Sequence, residues 1–161
     1  MSQFKPLPPI QELQQAFVYD PATGIFLHKY NRNNKTKAGD VAGHIDHKGY
    51  VRLVLDGCRM QAHRVAWYLM TGADPLPNQI DHIDRVRANN SWSNLRLATQ
   101  AQNQHNAVSR GWTRYGNRYY AQIRIGGALI SLGGYGTPEE AHEVYKAKHS
   151  EVHGSFSPYF Q

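Results

Sequence analysis

The run GNRYYAQIRIGG, residues 116–127, constrains the fold more than any other stretch, because it alternates without a break. Tyr119, Ala121, Ile123 and Ile125 fall on one face of an extended chain, and Arg118, Tyr120, Gln122 and Arg124 on the other. A strand with one apolar face needs a layer to cover it. The chain supplies that layer downstream in TPEEAHEVYKAKHSEVHG, where Thr137 is placed as N-cap, Pro138 in the first turn, Glu140 as the closing residue of a capping box and Gly154 as the stop. Ala141, Val144, Tyr145, Lys148 and Val152 form its expected stripe. The last third therefore reads as strands covered on one side by one helix, with a cationic and aromatic face left open.

The earlier segments are shorter. IQELQQAF places Ile10, Leu13 and Phe17 at helical spacing, YDPATG reads as a turn, and residues 25–27 as a short strand. Residues 31–37 look like an exposed basic loop. Residues 39–62 form a meander in which Val51, Leu53 and Leu55 share a face and Asp56-Gly57 makes a hairpin turn. HRVAWYLMTG then carries Val65, Ala66, Leu69 and Met70 on an apolar helical stripe ending at Gly72. His63, at the head of this helix, reads as structural.

A different composition appears in QIDHIDRVRANNSWSNLRLATQAQN, residues 79–103, which holds an Asp-His pair and several asparagines. Asparagine favours turns and caps because its short amide competes for backbone hydrogen bonds. The order is strand, polar loop, strand and then a helix opened by Thr99 and Gln102. Asp81 offers a hard carboxylate oxygen, and His82 a group that titrates near neutrality. Neighbours on a regular strand point to opposite faces, so the two can serve one site only where the strand ends or distorts.

The ordered string His63-Arg64, Asp81-His82, Asn89-Asn90, Asn94-Leu95-Arg96, Thr99, Asn103 resembles the HNH nuclease signature, in the form found in phage homing-type endonucleases. It covers about residues 40 to 106. The resemblance implies a ββα-metal fold, with Asp81 and Asn103 as ligands of one divalent ion, Mg²⁺ or alternatively Mn²⁺, and His82 as general base. It implies that Asn94 pins the polar loop by bonding its backbone, while Asn89 and Asn90 shape turns. Asn103 stands where many relatives carry His; His105 ranks below it as a ligand, and Asp84 is an alternative acid. Residues 110–154 are similar to the AP2-type DNA-binding domain, through Arg110-Gly111, the strand at 120–124, Leu132-Gly133, residues 137–141, Tyr145 and Ala147. Tyr120 stands where relatives often have Trp, so base preference does not carry over. The resemblance implies a sheet laid in the major groove, with Arg110, Arg114, Arg118, Tyr120, Gln122 and Arg124 toward DNA.

Composition agrees with a polyanion partner: 18 Lys and Arg stand against 12 Asp and Glu, for a formal charge of +6 over 161 residues, with nine histidines besides. Cys58 is the sole cysteine, which excludes an intramolecular disulfide framework and a cysteine zinc cluster. No run approaches a membrane span, and the N-terminal stretch lacks an apolar signal core, so a cytoplasmic location in a phage host or bacterium is expected. The expectation is an α+β protein with an N-terminal helix and β-rich region (1–62), a ββα-metal nuclease motif (63–107) and an AP2-like domain of three antiparallel strands on one helix (108–161). It would act on double-stranded DNA as a monomer with one site, nicking one strand per engagement and leaving double-strand cleavage to a second event or subunit. The alternative is a non-catalytic DNA-binding regulator.

Overall fold

A computed structural model describes residues 5–160, so part of the N-terminal stretch weighed above as a signal lies outside the described residues. The chain divides into two compact units, Met1–Thr99 and Gln100–Gln161.

The first unit runs α1 (Ile10–Ala16), β1 (Phe17–Tyr19), β2 (Phe26–His28), β3 (His44–Ile45), β4 (Val51–Leu55), β5 (Cys58–Gln61), α2 (Ala62–Thr71), β6 (Gln79–His82) and β7 (Leu95–Ala98). These strands form three small antiparallel sheets, β1-β2, β3-β4-β5 and β6-β7. Asp56 and Gly57 join β4 to β5 with φ of 47° and 78°, the pair of positive values that a type I′ hairpin turn requires. Gly72 ends α2 in the left-handed conformation, with its N–H on the Tyr68 carbonyl. The sequence pattern carries α1 through Phe17, but the helix stops at Ala16 and Phe17 extends into β1 while keeping its side chain buried.

One core joins this unit. Leu13, Phe17, Phe26 and Leu53 belong to the same buried cluster as Val65, Ala66, Ile80 and Leu95. The expected boundary between 62 and 63 therefore falls inside a core: α2, β6 and β7 bury their apolar sides on the N-terminal helix and strands, because two or three short elements have too little apolar surface for a core of their own. Among the described residues, no helix is long and apolar enough to cross a membrane.

The second unit runs α3 (Gln100–His105), β8 (Trp112–Tyr115), β9 (Arg118–Ile125), β10 (Ala128–Tyr135) and α4 (Pro138–His153), with β9 central in an antiparallel sheet. The capping box at Thr137 and Glu140 is complete. Ala121 and Ile123 are buried, as are Ala141 and Tyr145 on α4, which packs on β9. Gly111 lets the chain cross the Tyr145 ring: its φ is +69° and an added Cβ would lie 1.9 Å from the ring. The buried side of α4 is Ala141, Tyr145 and His149, successive residues four apart. Lys148, expected in the stripe, instead pairs with Glu151 at 2.5 Å.

Candidate active site

His82 is the last residue of β6, so the strand ends where the Asp-His pair needs it to end. Both Asp81 and His82 are buried, each 4% exposed. In the β6-β7 ladder Asp81 stands opposite Arg96, which holds the Asp81 carboxylate from Nε at 2.8 Å and from its second nitrogen at 2.6 Å. Both contacts fall on Asp81 Oδ2, so the guanidinium anchors that oxygen of the carboxylate.

The His82 ring is set by its neighbours. Its Nε2 lies 3.3 Å from Asn90 Oδ1, while Asn90 Nδ2 donates to the Ala88 carbonyl at 3.2 Å. That second bond turns the amide oxygen toward the imidazole, which puts the ring proton on Nε2 and the lone pair on Nδ1. Burial is the main cause that holds the His82 pKa below the ordinary imidazole value; Asn90, Asp84 and Asp81 act in the other direction. Burial thus favours the neutral ring, the form that can accept a proton.

The loop between β6 and β7 is bonded almost residue by residue. Asn94 Oδ1 accepts from the Asp84 N–H at 2.9 Å, and Asn94 Nδ2 donates to Asp84 Oδ1 and the Asn89 carbonyl, each at 2.9 Å. Asn89 Oδ1 accepts from the Ser91 N–H and hydroxyl, and its Nδ2 donates to Asp84 Oδ2. Asp84, considered above as an alternative acid, is thus committed to the loop. Burial pulls its pKa up, but bonds from Asn89, Val86 and Asn94 outweigh it and hold the group below the carboxylate range.

The N-terminal hairpin braces this loop from outside. Tyr19 donates its hydroxyl proton to the Asn90 carbonyl at 2.7 Å, across 71 residues, and Trp92 donates its N–H to the Pro21 carbonyl at 2.8 Å. Gly24, with φ +75°, leaves room for this approach: an added Cβ would sit 2.2 Å from the Asn90 carbonyl carbon. Burial, then Asp20, pushes the Tyr19 hydroxyl up to about 12, so it remains a donor.

Sequence reasoning gave Asn90 only a turn, and it missed Tyr19, Gly24, Arg96 as the Asp81 partner, and Tyr50. The Tyr50 ring lies 5.4 Å from His63 and 6.1 Å from His82, and His63 packs edge-on to His82 at 5.1 Å. His63 is therefore beside the site. Burial, then His82, pushes its pKa down to about 3, and its buried Nδ1 has no hydrogen-bond partner among the described residues. Beside Tyr50 an open cleft of about 560 Å³ is lined by Lys48, Arg52, Arg59, Arg64 and Arg87 among others, with no Asp or Glu in its lining.

Asn103 and His105 lie on α3 and belong to the second unit. There Arg118, Tyr120, Gln122 and Arg124 share the sheet face away from buried Ala121 and Ile123. Cross-strand pairing adds Tyr115 opposite Arg118 and Leu129 opposite Arg124, 80% and 59% exposed. Two arginines expected on this face are elsewhere. Arg114 pairs with Tyr119 and shares its face, with its guanidinium 5.8 Å from that ring. Arg110 precedes β8, stacks at 5.0 Å over Trp112 and gives its carbonyl to His142 on α4. The alternation of β9 says nothing of how β8 is registered against it, and register decides the face.

Comparison with known proteins agrees with the first of these sites. Residues 60–105 match the family model described as HNH endonuclease. An uncharacterized HNH endonuclease of Acanthamoeba polyphaga mimivirus is 33% identical over 105 residues, covering 62% of this chain and 56% of that protein, so the chain spans little over half the length of this curated relative. A solved structure of DNA binding and cleavage by the HNH homing endonuclease I-HmuI is similar at 22% identity and a TM-score of 0.44, over 79% of this chain and 75% of that one. That likeness is too loose to transfer fold or residues.

Proposed function

We propose that this protein is a metal-dependent HNH DNA endonuclease of the phage homing type that nicks one strand of duplex DNA. The reading is carried by one observation: inside the segment that matches the HNH model, a buried histidine stands next to a clamped carboxylate, with its Nδ1 lone pair selected by Asn90. His82 takes a proton from the attacking water through Nδ1. The water oxygen bonds to phosphorus, the P–O3′ bond breaks, the leaving O3′ takes a proton from solvent, and the products carry 5′ phosphate and 3′ hydroxyl. Asn90 holds the ring, and Asn94 holds the loop that carries Asn90.

Asp81, with Asn103 assigned from the sequence, would hold the ion, Mg²⁺ first and Mn²⁺ second. The donor set fits a hard divalent cation, since both groups offer oxygen and the Asp81 carboxylate is anchored at Oδ2. When bound, such an ion neutralises charge on the phosphate and the leaving oxygen.

DNA binding is assigned to two surfaces. The open sheet face with Arg118, Tyr120, Gln122 and Arg124 is the AP2-like reader, and the cationic cleft beside Tyr50 receives backbone phosphates. The protein acts as a monomer with one site per chain.

One observation favours a second reading, a non-catalytic DNA-binding regulator: Arg96 already engages the carboxylate that would bind metal. The two separate on supercoiled plasmid incubated with wild type and His82→Ala, with Mg²⁺ and with EDTA. The nuclease converts it to open circles only with metal and His82. Binding without nicking on a broad set of DNAs would favour the regulator, and products ending in 3′ phosphate would refute the stated bond cleavage.

A further inference from the structure

The second unit contains a histidine cluster that the nuclease reading leaves unused. His149 and His153 lie one turn apart on α4 and so face the same side, and His105 ends α3. One ring nitrogen from each comes within 4.8 Å of the others. The His105 and His153 rings stack at 3.7 Å, and His149 meets His153 at 4.4 Å.

The most buried member is oriented from behind. His149 is 4% exposed and its Nδ1 lies 2.8 Å from the Ser157 hydroxyl, itself buried. That oxygen also accepts the Tyr159 N–H at 3.2 Å, while Ser150 Oγ lies 3.4 Å away. With the Ser157 proton directed to Ser150, both Ser157 lone pairs are filled by Tyr159 N–H and His149 Nδ1–H. In that arrangement, the one a metal-bound His149 would adopt, the lone pair lies on Nε2. A ring N–H donated to an oxygen behind the imidazole is how proteins orient a histidine ligand.

Three imidazoles gathered this closely, with no acid in the group, make up a metal-ligating set. α3, at whose end His105 lies, has six residues and buries none of them, so its position rests on the contacts its side chains make.

We infer that His105, His149 and His153 form a zinc site that ties the end of α3 to α4, with a water as fourth ligand. Three imidazoles without a carboxylate suit Zn²⁺ and not the hard Mg²⁺ of the nuclease reading. Tetrahedral Zn²⁺ with bonds of about 2.0–2.1 Å sets ligand nitrogens about 3.3 Å apart. To close the difference, the two half-buried rings, His105 and His153, must turn out of their present stack so that both lone pairs meet one ion. The ion braces the helix that bears Asn103 and takes no part in bond cleavage.

The test uses the whole chain and Zn²⁺ alone. Equilibrium dialysis should find one tightly held ion per chain, Zn²⁺ should raise the melting temperature, and Co²⁺ in its place should give the visible absorption of a tetrahedral site. His105→Gln and His153→Gln, at half-buried positions, should each weaken Zn²⁺ by on the order of a hundredfold or more, since loss of an outer partner alone costs about 10–100-fold. Ser157→Ala should fall in that outer range, and His82→Ala should bind as wild type does. No stoichiometric Zn²⁺ on the wild-type chain would overturn the site. So would affinity unchanged in both glutamine variants, or affinity abolished in His82→Ala and kept in His153→Gln; either would place the ion elsewhere.

Discussion

The two units place their functional side chains by opposite means. In the first, the loop after β6 spends nearly every polar side chain on its own backbone, and a hairpin 71 residues away holds it from outside. In the second, the arginines of the open sheet face stand at alternate positions of a regular strand, bonded only to exposed carbonyls: Arg118 to Gly134 and Arg124 to Gly127. The histidines differ in the same way. His82 is held singly, with one lone pair selected beside a carboxylate, whereas three rings of the second unit meet with no acid among them. On the proposed reading, a group that moves a proton in the reaction needs a fixed direction, which long-range bracing gives. A surface that meets a long, regular polyanion needs repetition, which a strand gives at no added cost.

Crossed variants make the largest break in this comparison. His82→Ala should reduce nicking by on the order of 10² to 10⁴ while sparing duplex affinity, and His153→Gln should lower nicking far less, acting only through the helix that bears Asn103. Nicking rates with gel-shift affinities for both variants check this. Loss of binding with cleavage intact in His82→Ala would reverse the roles given to the two units.

Arg96→Ala removes one partner of a pair whose side chains are 15% and 5% exposed, and breaking a buried pair typically costs about 3–5 kcal/mol because the remaining charge has no counterpart. Urea unfolding should show the loss. If Asp81 also holds a divalent ion, Mg²⁺ should restore more stability to this variant than to the wild type, because a ligand that binds only the folded state stabilises it. Equal responses would separate Asp81 from the metal.

Gly24→Ala tests the outside brace. A Cβ would meet the Asn90 backbone and the residue would hold a positive φ, a strain of about 1–3 kcal/mol. The strain falls on the residue that orients His82, so nicking should drop while the sheet keeps its hold on DNA. A variant with lower melting temperature and normal nicking would show that the hairpin stabilises the unit without positioning the base.

The same contrast decides what the sequence reveals. The β9 alternation, the Thr137–Glu140 capping box, the Asp56-Gly57 turn and the Gly72 stop are all read within a few neighbouring residues, and all appear in the structure. The Asp-His pair was legible as a pair, and Asn94 as a loop pin through the resemblance to the HNH signature. Illegible were Tyr19 on Asn90, Gly24 behind it, and Arg96 opposite Asp81, because each depends on which distant segments meet. Arg114 failed for a smaller reason: its face depends on a one-residue choice of register between β8 and β9. His149 was overlooked because the helical stripe was drawn through Lys148, whose aliphatic stem fits an apolar pattern until its ammonium finds Glu151.

Register gives the next test. Arg118→Ala with Arg124→Ala should weaken duplex binding and lower the salt slope by about one for each phosphate no longer neutralised. Arg114→Ala, on the helix-covered face, should change neither. Fluorescence anisotropy over a range of KCl concentrations distinguishes them, and a larger effect from Arg114 would mean that DNA meets the other side of the sheet.

The smallest effect separates local bracing from distant bracing within the first unit. Asp46 organises the turn before β4, accepting from the Lys48 and Tyr50 N–H groups at 2.9 and 3.0 Å and from Arg52 Nε at 2.7 Å. The Arg52 bond is the chief cause that lowers its pKa to about 2. Since the folded value lies below the unfolded one near 3.8, the Asp46 contribution is complete above about pH 4 and is lost as pH falls through about 2. Asp46→Asn should therefore destabilise slightly at pH 7, and its difference from wild type should shrink toward pH 2 in thermal melts. Tyr50 leaves this turn to meet His63 edge-on and His82 at a tilt, yet the proposed base is held through Asn90, so nicking at pH 7 should change far less than in Gly24→Ala. Equal losses in the two variants would mean that the site depends on the nearest turn as much as on the distant hairpin.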